Sequence, residues 1–106
     1  MCGIAGLIGW KDTTIKGRET VSKMREVLKH RGPDDNSIWV SENNYVYFSH
    51  SRLSILDLSK AGKQPMTSSC KRYIISYNGE IYNHFEIRSY LENKNFNIKW
   101  IGTSDT

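Results

Sequence analysis

The hydrophobic and polar positions of the chain form short runs with the spacing of strands and helices. An apolar, glycine-rich run over residues 3–9 predicts a buried strand near the N-terminus. Apolar residues at helical spacing then predict an amphipathic helix over residues 20–30, which Gly32 and Pro33 end. The β-branched and aromatic residues at 38–40 and 45–48 indicate a hairpin, because a short polar segment separates them.

Further strand and helix signals follow in the second half of the chain. Residues 59–69 are typical of a loop, and residues 72–77 predict a buried strand that ends at the turn dipeptide Asn78-Gly79. Asn83 has the position of an N-cap, with Glu86 at capping-box spacing, so a second helix is expected to run to residues 93–95. The alternation over residues 96–101 predicts a last strand. This order of elements favours an α+β fold with a mostly antiparallel sheet, in one domain over residues 1–106.

Composition and charge narrow the class of protein. The 106 residues carry a formal net charge of +4 and are 38% hydrophobic, as in a globular protein. A small basic nucleic-acid binder is disfavoured, because the basic residues are dispersed and those from Lys11 to Arg31 alternate with acidic ones. No run approaches the roughly 18 apolar residues of a membrane span, and the first residues lack the features of a secretory signal. We therefore expect a cytoplasmic protein with neither nucleic acid nor membrane as partner.

Cys2 is the leading candidate for a catalytic residue. If an aminopeptidase removes Met1, Cys2 carries both a thiol nucleophile and a free α-amine. The ordinary pKa of that amine, roughly 7.7–8.0, suits a base near neutral pH. The small size of Cys2 favours the removal of Met1; with Met1 retained, the nitrogen of Cys2 would be an amide without base function. The second cysteine, Cys70, is in a polar loop and is expected to be an incidental thiol.

Six motifs in a fixed order resemble one protein family. They are MCGIAGLIG at residues 1–9, HRGPD at 30–34, HSRLSILD at 50–57, QPM at 64–66, YNGEIYNH at 77–84 and Ser-Asp at 104–105. Together they resemble the class II glutamine amidotransferase domain of glutamine-hydrolysing asparagine synthetases, over essentially the whole chain. A Cys-Gly-Ile start alone fits any class II amidotransferase. The motifs HRGPD, RLSI-x-D and NGEIYNH point to the asparagine synthetase branch.

The resemblance implies a thioester mechanism for glutamine hydrolysis. Cys2, as the mature N-terminus, would attack the side-chain amide of glutamine while its α-amine, directly or through a water, accepts the thiol proton and returns one to the departing ammonia. Water would then release glutamate from the γ-glutamyl thioester. By resemblance, the Asn78 side chain and the Gly79 N–H stabilise the oxyanion, and glycine would allow an unusual backbone angle and a close approach.

The resemblance also implies a set of residues that bind the zwitterionic substrate. The guanidinium of Arg52 can bind the α-carboxylate through two parallel hydrogen bonds. Glu80 and Asp105 are the candidate partners of the amide and ammonium groups, with Asp105 at the substrate amine in the family. The backbone around Ile55 and Leu56 is expected to line the site.

The three histidines, His30, His50 and His84, are expected to be structural. The α-amine already supplies a base, and the spacing of the histidines lacks a zinc signature. The segment from Arg31 to Asp34 is likewise expected to shape the site structurally. We therefore predict no metal site in this chain.

The chain departs from the family pattern at its C-terminal end. In the family the glutaminase domain continues and a synthetase domain follows, with an ATP-pyrophosphate loop that is absent from this sequence. We therefore expect no cofactor in this domain, with ATP and Mg²⁺ only in the absent synthetase domain. The implied fold is the four-layer αββα sandwich of N-terminal nucleophile hydrolases, here only its N-terminal half. A half sandwich leaves a sheet face and an edge uncovered, which favours association such as a homodimer.

The favoured function is the glutamine-hydrolysing, ammonia-supplying half of an amidotransferase similar to asparagine synthetase. The ammonia acceptor stays open among aspartate, a sugar and another carboxylate. The alternative is a truncated, non-catalytic protein that binds glutamine weakly or serves as an interaction module.

Overall fold

The central sheet has three antiparallel strands in the order β1-β3-β2. They are β1 (Gly3–Ile8), β2 (Asp35–Val40) and β3 (Val46–Arg52). The computed structural model describes residues 1–9, 16–55, 57–96 and 98–106, so residues 11–15 of the basic stretch are outside it. The register places Gly3 opposite Ser51 and Asp35 opposite Arg52. The N-terminal strand and the hairpin predicted from the sequence are therefore confirmed, with both hairpin strands longer than expected. The predicted burial of the N-terminal strand is wrong, because Gly3 is its one buried residue.

Helix α1 (Gly17–Val27) covers one face of this sheet. It packs against all three strands and most extensively against β3. Val21 is fully buried there, and the ring of Tyr47 occupies the space where a side chain on Gly17 would be. The helix begins three residues earlier than predicted and ends at Val27, and a 3₁₀ turn (Lys29–Arg31) then leads into β2.

A second, small sheet follows the central one. It pairs β4 (Met66–Thr67) with β5 (Ile74–Ile75), and a 3₁₀ turn (Lys60–Gly62) precedes it. The strand predicted over residues 72–77 is thus only two residues long. The reason is that the backbone of Tyr77 bonds to the side chains of Gln64 and His50 instead of to a neighbouring strand.

The C-terminal part of the chain differs most from the sequence-based prediction. Helix α2 (His84–Asn93) forms as expected, but the Asn83 side chain makes no capping hydrogen bond, so the predicted capping box is wrong. The predicted last strand is also wrong for the described residues 96 and 98–101, while residue 97 is outside the description. Trp100 instead folds back on α2, where its Nε1 donates to Glu92 Oε1 (2.7 Å) and its ring contacts the Arg88 guanidinium (4.4 Å to the ring centroid).

The structure confirms the α+β class with small antiparallel sheets and two helices. The full four-layer sandwich stays a prediction. Within the described ranges, neither helix has the length and apolar character needed to cross a membrane.

Candidate active site

One cavity of about 320 Å³ opens on the face of the sheet opposite α1. Its lining includes every predicted site residue that the structure describes: Cys2, Arg52, Ile55, Asn78, Gly79, Glu80 and Asp105. Leu56, also predicted to line the site, is outside the described residues. These residues come from four separate segments of the chain that meet at one concave surface, which is the geometry expected of a small-molecule site.

The Cys2 thiol lies at the start of β1, where neighbouring groups fix its position. The Leu53 N–H donates to Cys2 Sγ (3.3 Å), and the thiol also contacts the Leu53 carbonyl oxygen (3.7 Å). Arg31 Nε donates to the Cys2 carbonyl oxygen (3.3 Å). These contacts fix the position of the sulfur at the edge of the cavity.

Arg52 is at the end of β3, only 8% exposed. Its Nη1 donates to the Ser59 carbonyl oxygen (2.8 Å), and its Nη2 donates to the Asp57 carbonyl oxygen. A guanidinium has five N–H donors, so donors remain for a ligand in the cavity. Gly62 packs against Nη2, and a Cβ at that position would overlap the guanidinium.

Asp57 connects the Arg52 loop to the C-terminal segment. Its Oδ1 accepts from the Ser59 N–H (2.8 Å) and its Oδ2 accepts from the Thr103 N–H (3.0 Å). Hydrogen bonding from Ser59, followed by that from the Thr103 N–H, lowers the pKa of Asp57 to about 2. The carboxylate therefore stays charged at neutral pH and holds residues 102–103 beside the cavity.

The Asn78-Gly79 turn follows Tyr77 at the cavity wall. The ring of Tyr77 lies where a side chain on Gly79 would be, and the close approach of Gly79 to a substrate stays a prediction. The predicted unusual backbone angle is wrong, because the φ of Gly79 is not positive. Glycine is needed here for space and not for a left-handed conformation.

The remaining predicted substrate residues differ in how firmly they are held. Asp105 Oδ2 accepts from the Ile81 N–H (2.8 Å), which joins the C-terminal segment to the turn that precedes α2. Glu80 is exposed, and Ile55 presents a largely exposed side chain at the rim.

Two parts of the site were not singled out from the sequence as site residues. The Leu53 N–H contacts the thiol, and Gln64 bonds to both Tyr77 and Thr106. The QPM motif at residues 64–66 was a signal for Gln64, although it gave no role. A backbone donor such as that of Leu53 leaves no signal in the residue type.

Each of the three histidines has one ring nitrogen within hydrogen-bond distance of a backbone carbonyl oxygen. His30 Nδ1 is 3.0 Å from the Val27 carbonyl oxygen, and His84 Nδ1 is 3.0 Å from the Ile81 carbonyl oxygen. His50 Nε2 is 3.1 Å from the Tyr77 carbonyl oxygen. Within the part of the chain that the structure describes, His, Cys, Asp and Glu side chains form no group of three or more that could hold a metal ion.

Comparison with known proteins shows the family to which the chain belongs. Residues 1–106 match the family described as a glutamine amidotransferase domain. The chain is 37% identical to asparagine synthetase [glutamine-hydrolyzing] 3 of Bacillus subtilis (strain 168), over 100% of the chain and 17% of that protein. It is 40% identical to asparagine synthetase [glutamine-hydrolyzing] of Brassica oleracea, over 91% of the chain and 16% of that protein. It is also 37% identical to asparagine synthetase B [glutamine-hydrolyzing] of Escherichia coli (strain K12), over 84% of the chain and 16% of that protein.

The chain therefore belongs to the glutamine amidotransferase domain family and is homologous to the N-terminal region of glutamine-hydrolysing asparagine synthetases. It spans about a sixth of the length of these relatives.

Proposed function

We propose that the chain hydrolyses the side-chain amide of glutamine and delivers the ammonia to a synthetase domain. The observation that carries this proposal is the single cavity in which the Cys2 thiol meets Arg52, the Asn78-Gly79 turn and Asp105. Family membership supports the same reaction, because the relatives are named as glutamine-hydrolysing asparagine synthetases.

The proposed reaction begins once Met1 is removed. The α-amine of Cys2 accepts the thiol proton, and the thiolate attacks the amide carbon of glutamine to form a tetrahedral intermediate. The Asn78 side-chain amide and the Gly79 N–H stabilise its oxyanion. The C–N bond then breaks, the α-ammonium returns a proton to the departing ammonia, and a γ-glutamyl thioester remains. Attack by water on the thioester releases glutamate and regenerates the thiol.

Substrate recognition uses the charges of glutamine. Arg52 binds the α-carboxylate, and its buried guanidinium is already oriented by the carbonyl oxygens of Asp57 and Ser59. Asp105 binds the α-ammonium, Glu80 binds at the amide or ammonium, and the backbone near Ile55 and Leu56 lines the remaining wall. Recognition of both charged groups excludes simple amides.

We also propose the wider architecture that this function requires. The three-stranded sheet with α1 on one face corresponds to one α-layer and one β-layer of an N-terminal nucleophile hydrolase sandwich, and the β4–β5 pair contributes to the second β-layer. In the whole protein a synthetase domain would use ATP and Mg²⁺ to activate the ammonia acceptor. We further propose that the protein acts in the cytoplasm, with a homodimer as one form of association.

The proposal is tested by glutamine turnover in the natural protein with Met1 removed, as verified by intact mass. We expect Cys2→Ala to abolish glutamate production, a loss of at least roughly 10⁴-fold, because the nucleophile is removed. Cys70→Ala is the matched control, since Cys70 is exposed and outside the cavity. A glutamine-mimicking electrophile should add one adduct to the wild type and none to Cys2→Ala.

Activity that survives in Cys2→Ala contradicts the nucleophile assignment. Retention of Met1 in the natural protein, together with glutamine binding without turnover, favours the non-catalytic alternative. In the structure Met1 lies at the cavity, so it is exposed at the site from which it must be removed.

A further inference from the structure

We propose that His50 and Gln64 are positioning residues that hold the backbone of Tyr77 and thereby fix the Asn78-Gly79 turn relative to the Cys2 thiol. This inference rests on the proposed glutamine hydrolysis. It concerns residues that do not touch the reacting atoms and that act through the backbone of a neighbour.

Both backbone polar groups of Tyr77 bond to buried side chains. The Tyr77 N–H donates to Gln64 Oε1 (2.6 Å), and the Tyr77 carbonyl oxygen accepts from His50 Nε2 (3.1 Å). His50 is 1% exposed and Gln64 is 7% exposed. A backbone residue bonded on both sides by buried groups has little freedom to shift, and the oxyanion turn begins at the next residue.

His50 also connects this turn to the strand that carries the nucleophile. His50 is on β3, directly opposite Ile4 of β1. Ile4 is two residues after Cys2. Because side chains alternate along a strand, those of Cys2, Ile4 and His50 are directed to the same face of the sheet. The pairing of β1 with β3 and the hydrogen bond from His50 to Tyr77 therefore connect the nucleophile to the oxyanion turn.

The tautomer of His50 follows from its partner. A carbonyl oxygen only accepts hydrogen bonds, so Nε2 carries the proton. Nδ1 is buried without a hydrogen-bond partner within the described residues, so a proton there would be unsatisfied. Burial lowers the pKa of His50; the Tyr77 carbonyl and Asp35 oppose this effect, and Arg52 adds to it. The ring is thus kept neutral as a donor.

Gln64 extends the same network to the proposed amine-binding segment. Its Nε2 donates to Thr106 Oγ1 (3.1 Å), next to Asp105. The Ser37 hydroxyl donates to the Gln64 carbonyl oxygen, which fixes the backbone of Gln64 against β2. The side-chain amide of Gln64 therefore bonds both to the residue before the oxyanion turn and to the neighbour of Asp105, the proposed ligand of the substrate ammonium.

A matched pair of substitutions at His50 separates positioning from packing. Gln carries its amide nitrogen at about the reach of Nε2, so His50→Gln keeps the donor to Tyr77, whereas the shorter His50→Asn loses it. We expect His50→Asn to lower kcat for glutamine roughly 10- to 100-fold with KM changed less than roughly threefold, because a misplaced oxyanion turn weakens transition-state binding. We expect His50→Gln to recover most of kcat.

A second readout tests whether the defect is in the oxyanion turn. Alkylation of Cys2 by iodoacetamide passes through no oxyanion, so we expect equal rates in the wild type, His50→Asn and His50→Gln. Equal kcat values for His50→Asn and His50→Gln overturn the inference. The proposed function still stands in that case, provided that the wild type turns over glutamine. Absence of turnover in the wild type contradicts the proposed function and, with it, the inference. A loss of alkylation equal to the loss of kcat also overturns it, since the thiol itself would then be displaced.

Gln64 gives an independent test with a different kinetic signature. Gln64→Met keeps the side-chain length and removes both hydrogen bonds, so we expect lower kcat together with higher KM through the Thr106 and Asp105 segment. A change in neither parameter overturns the role of Gln64. If the substituted proteins do not fold, the wild type decides the role of His50: its ring ¹⁵N spectrum near pH 7 should show the Nε2–H tautomer, and an Nδ1–H tautomer overturns the inference.

Discussion

The two faces of strand β3 bury different kinds of side chain. Tyr47 is on the face covered by α1, together with small residues, and its ring packs against Gly17 of that helix, where Val21 is also buried. His50 and Arg52 are on the opposite face, beside the cavity. Of the six polar or charged residues that are buried within the described ranges, Ser49 and Ser51 are on the α1 face with Tyr47, whereas His50, Arg52, Asp57 and Gln64 line the cavity.

This difference shows that one face of β3 contributes mainly to the stability of the fold and the other face mainly to the cavity. The α1 face removes apolar surface from water, which drives folding without specifying chemistry. The cavity face buries polar groups, which is unfavourable unless each is hydrogen-bonded. The polar side chains there bond mainly to backbone groups of loops, so they determine where those loops lie. Substitutions on the two faces should therefore separate changes in unfolding free energy from changes in kinetics.

Among the substitutions that compare the two faces of β3, we expect the largest effect from Arg52 on the cavity face. Lysine keeps the charge but replaces the fork of donors with a single ammonium, so Arg52→Lys cannot reproduce both hydrogen bonds to the 57–59 loop. We expect the free energy of unfolding to fall by about 2–3 kcal/mol and KM for glutamine to rise roughly 10- to 100-fold. Urea denaturation and initial-rate kinetics measure the two quantities.

Arg18→Lys is the control for this comparison, because Arg18 is exposed on α1. It should change the unfolding free energy by less than about 0.5 kcal/mol and leave KM unchanged. If Arg52→Lys behaved like Arg18→Lys, the proposed carboxylate site at Arg52 would be wrong.

The α1 face should show the opposite pattern. Val21→Ala removes buried methyl groups, so we expect the unfolding free energy to fall by about 2 kcal/mol while kcat and KM per folded molecule stay the same. The matched control is Val27→Ala on the same helix, where Val27 is 74% exposed, and its effect should be within about 0.5 kcal/mol. A raised KM in Val21→Ala would mean that the two faces are coupled.

Sequence reasoning predicted the local elements and much of the site. The N-terminal strand, the hairpin and both helices follow from spacing and residue type, and the motif residues converge on one cavity. The resemblance, and not periodicity, supplied Arg52 and Asp105 as site residues. Periodicity gives the pattern within an element but not which distant segments meet.

The failures have a physical cause in competing hydrogen bonds. Residues 72–77 have strand character, yet the backbone of Tyr77 is taken by Gln64 and His50. Residues 96 and 98–101 alternate like a strand, yet Trp100 folds back on α2. Tertiary partners of this kind are distant in sequence, so neither residue type nor spacing reveals them.

We expect the smallest effect from a substitution of Asp57 at the cavity. This effect is a change in how the stability of the protein depends on pH. The folded-state pKa of Asp57, about 2, is below the ordinary value of 3.8, because Ser59 and the Thr103 N–H favour the carboxylate. Its stabilising contribution is therefore complete above about pH 4 and is lost as the pH falls through 2. We expect the loss of stability between pH 4 and 2, measured by urea denaturation, to be smaller in Asp57→Asn than in the wild type. Glu42→Gln, an exposed control, should leave that slope unchanged; equal slopes in all three proteins would mean that Asp57 does not make the cavity face sensitive to acid.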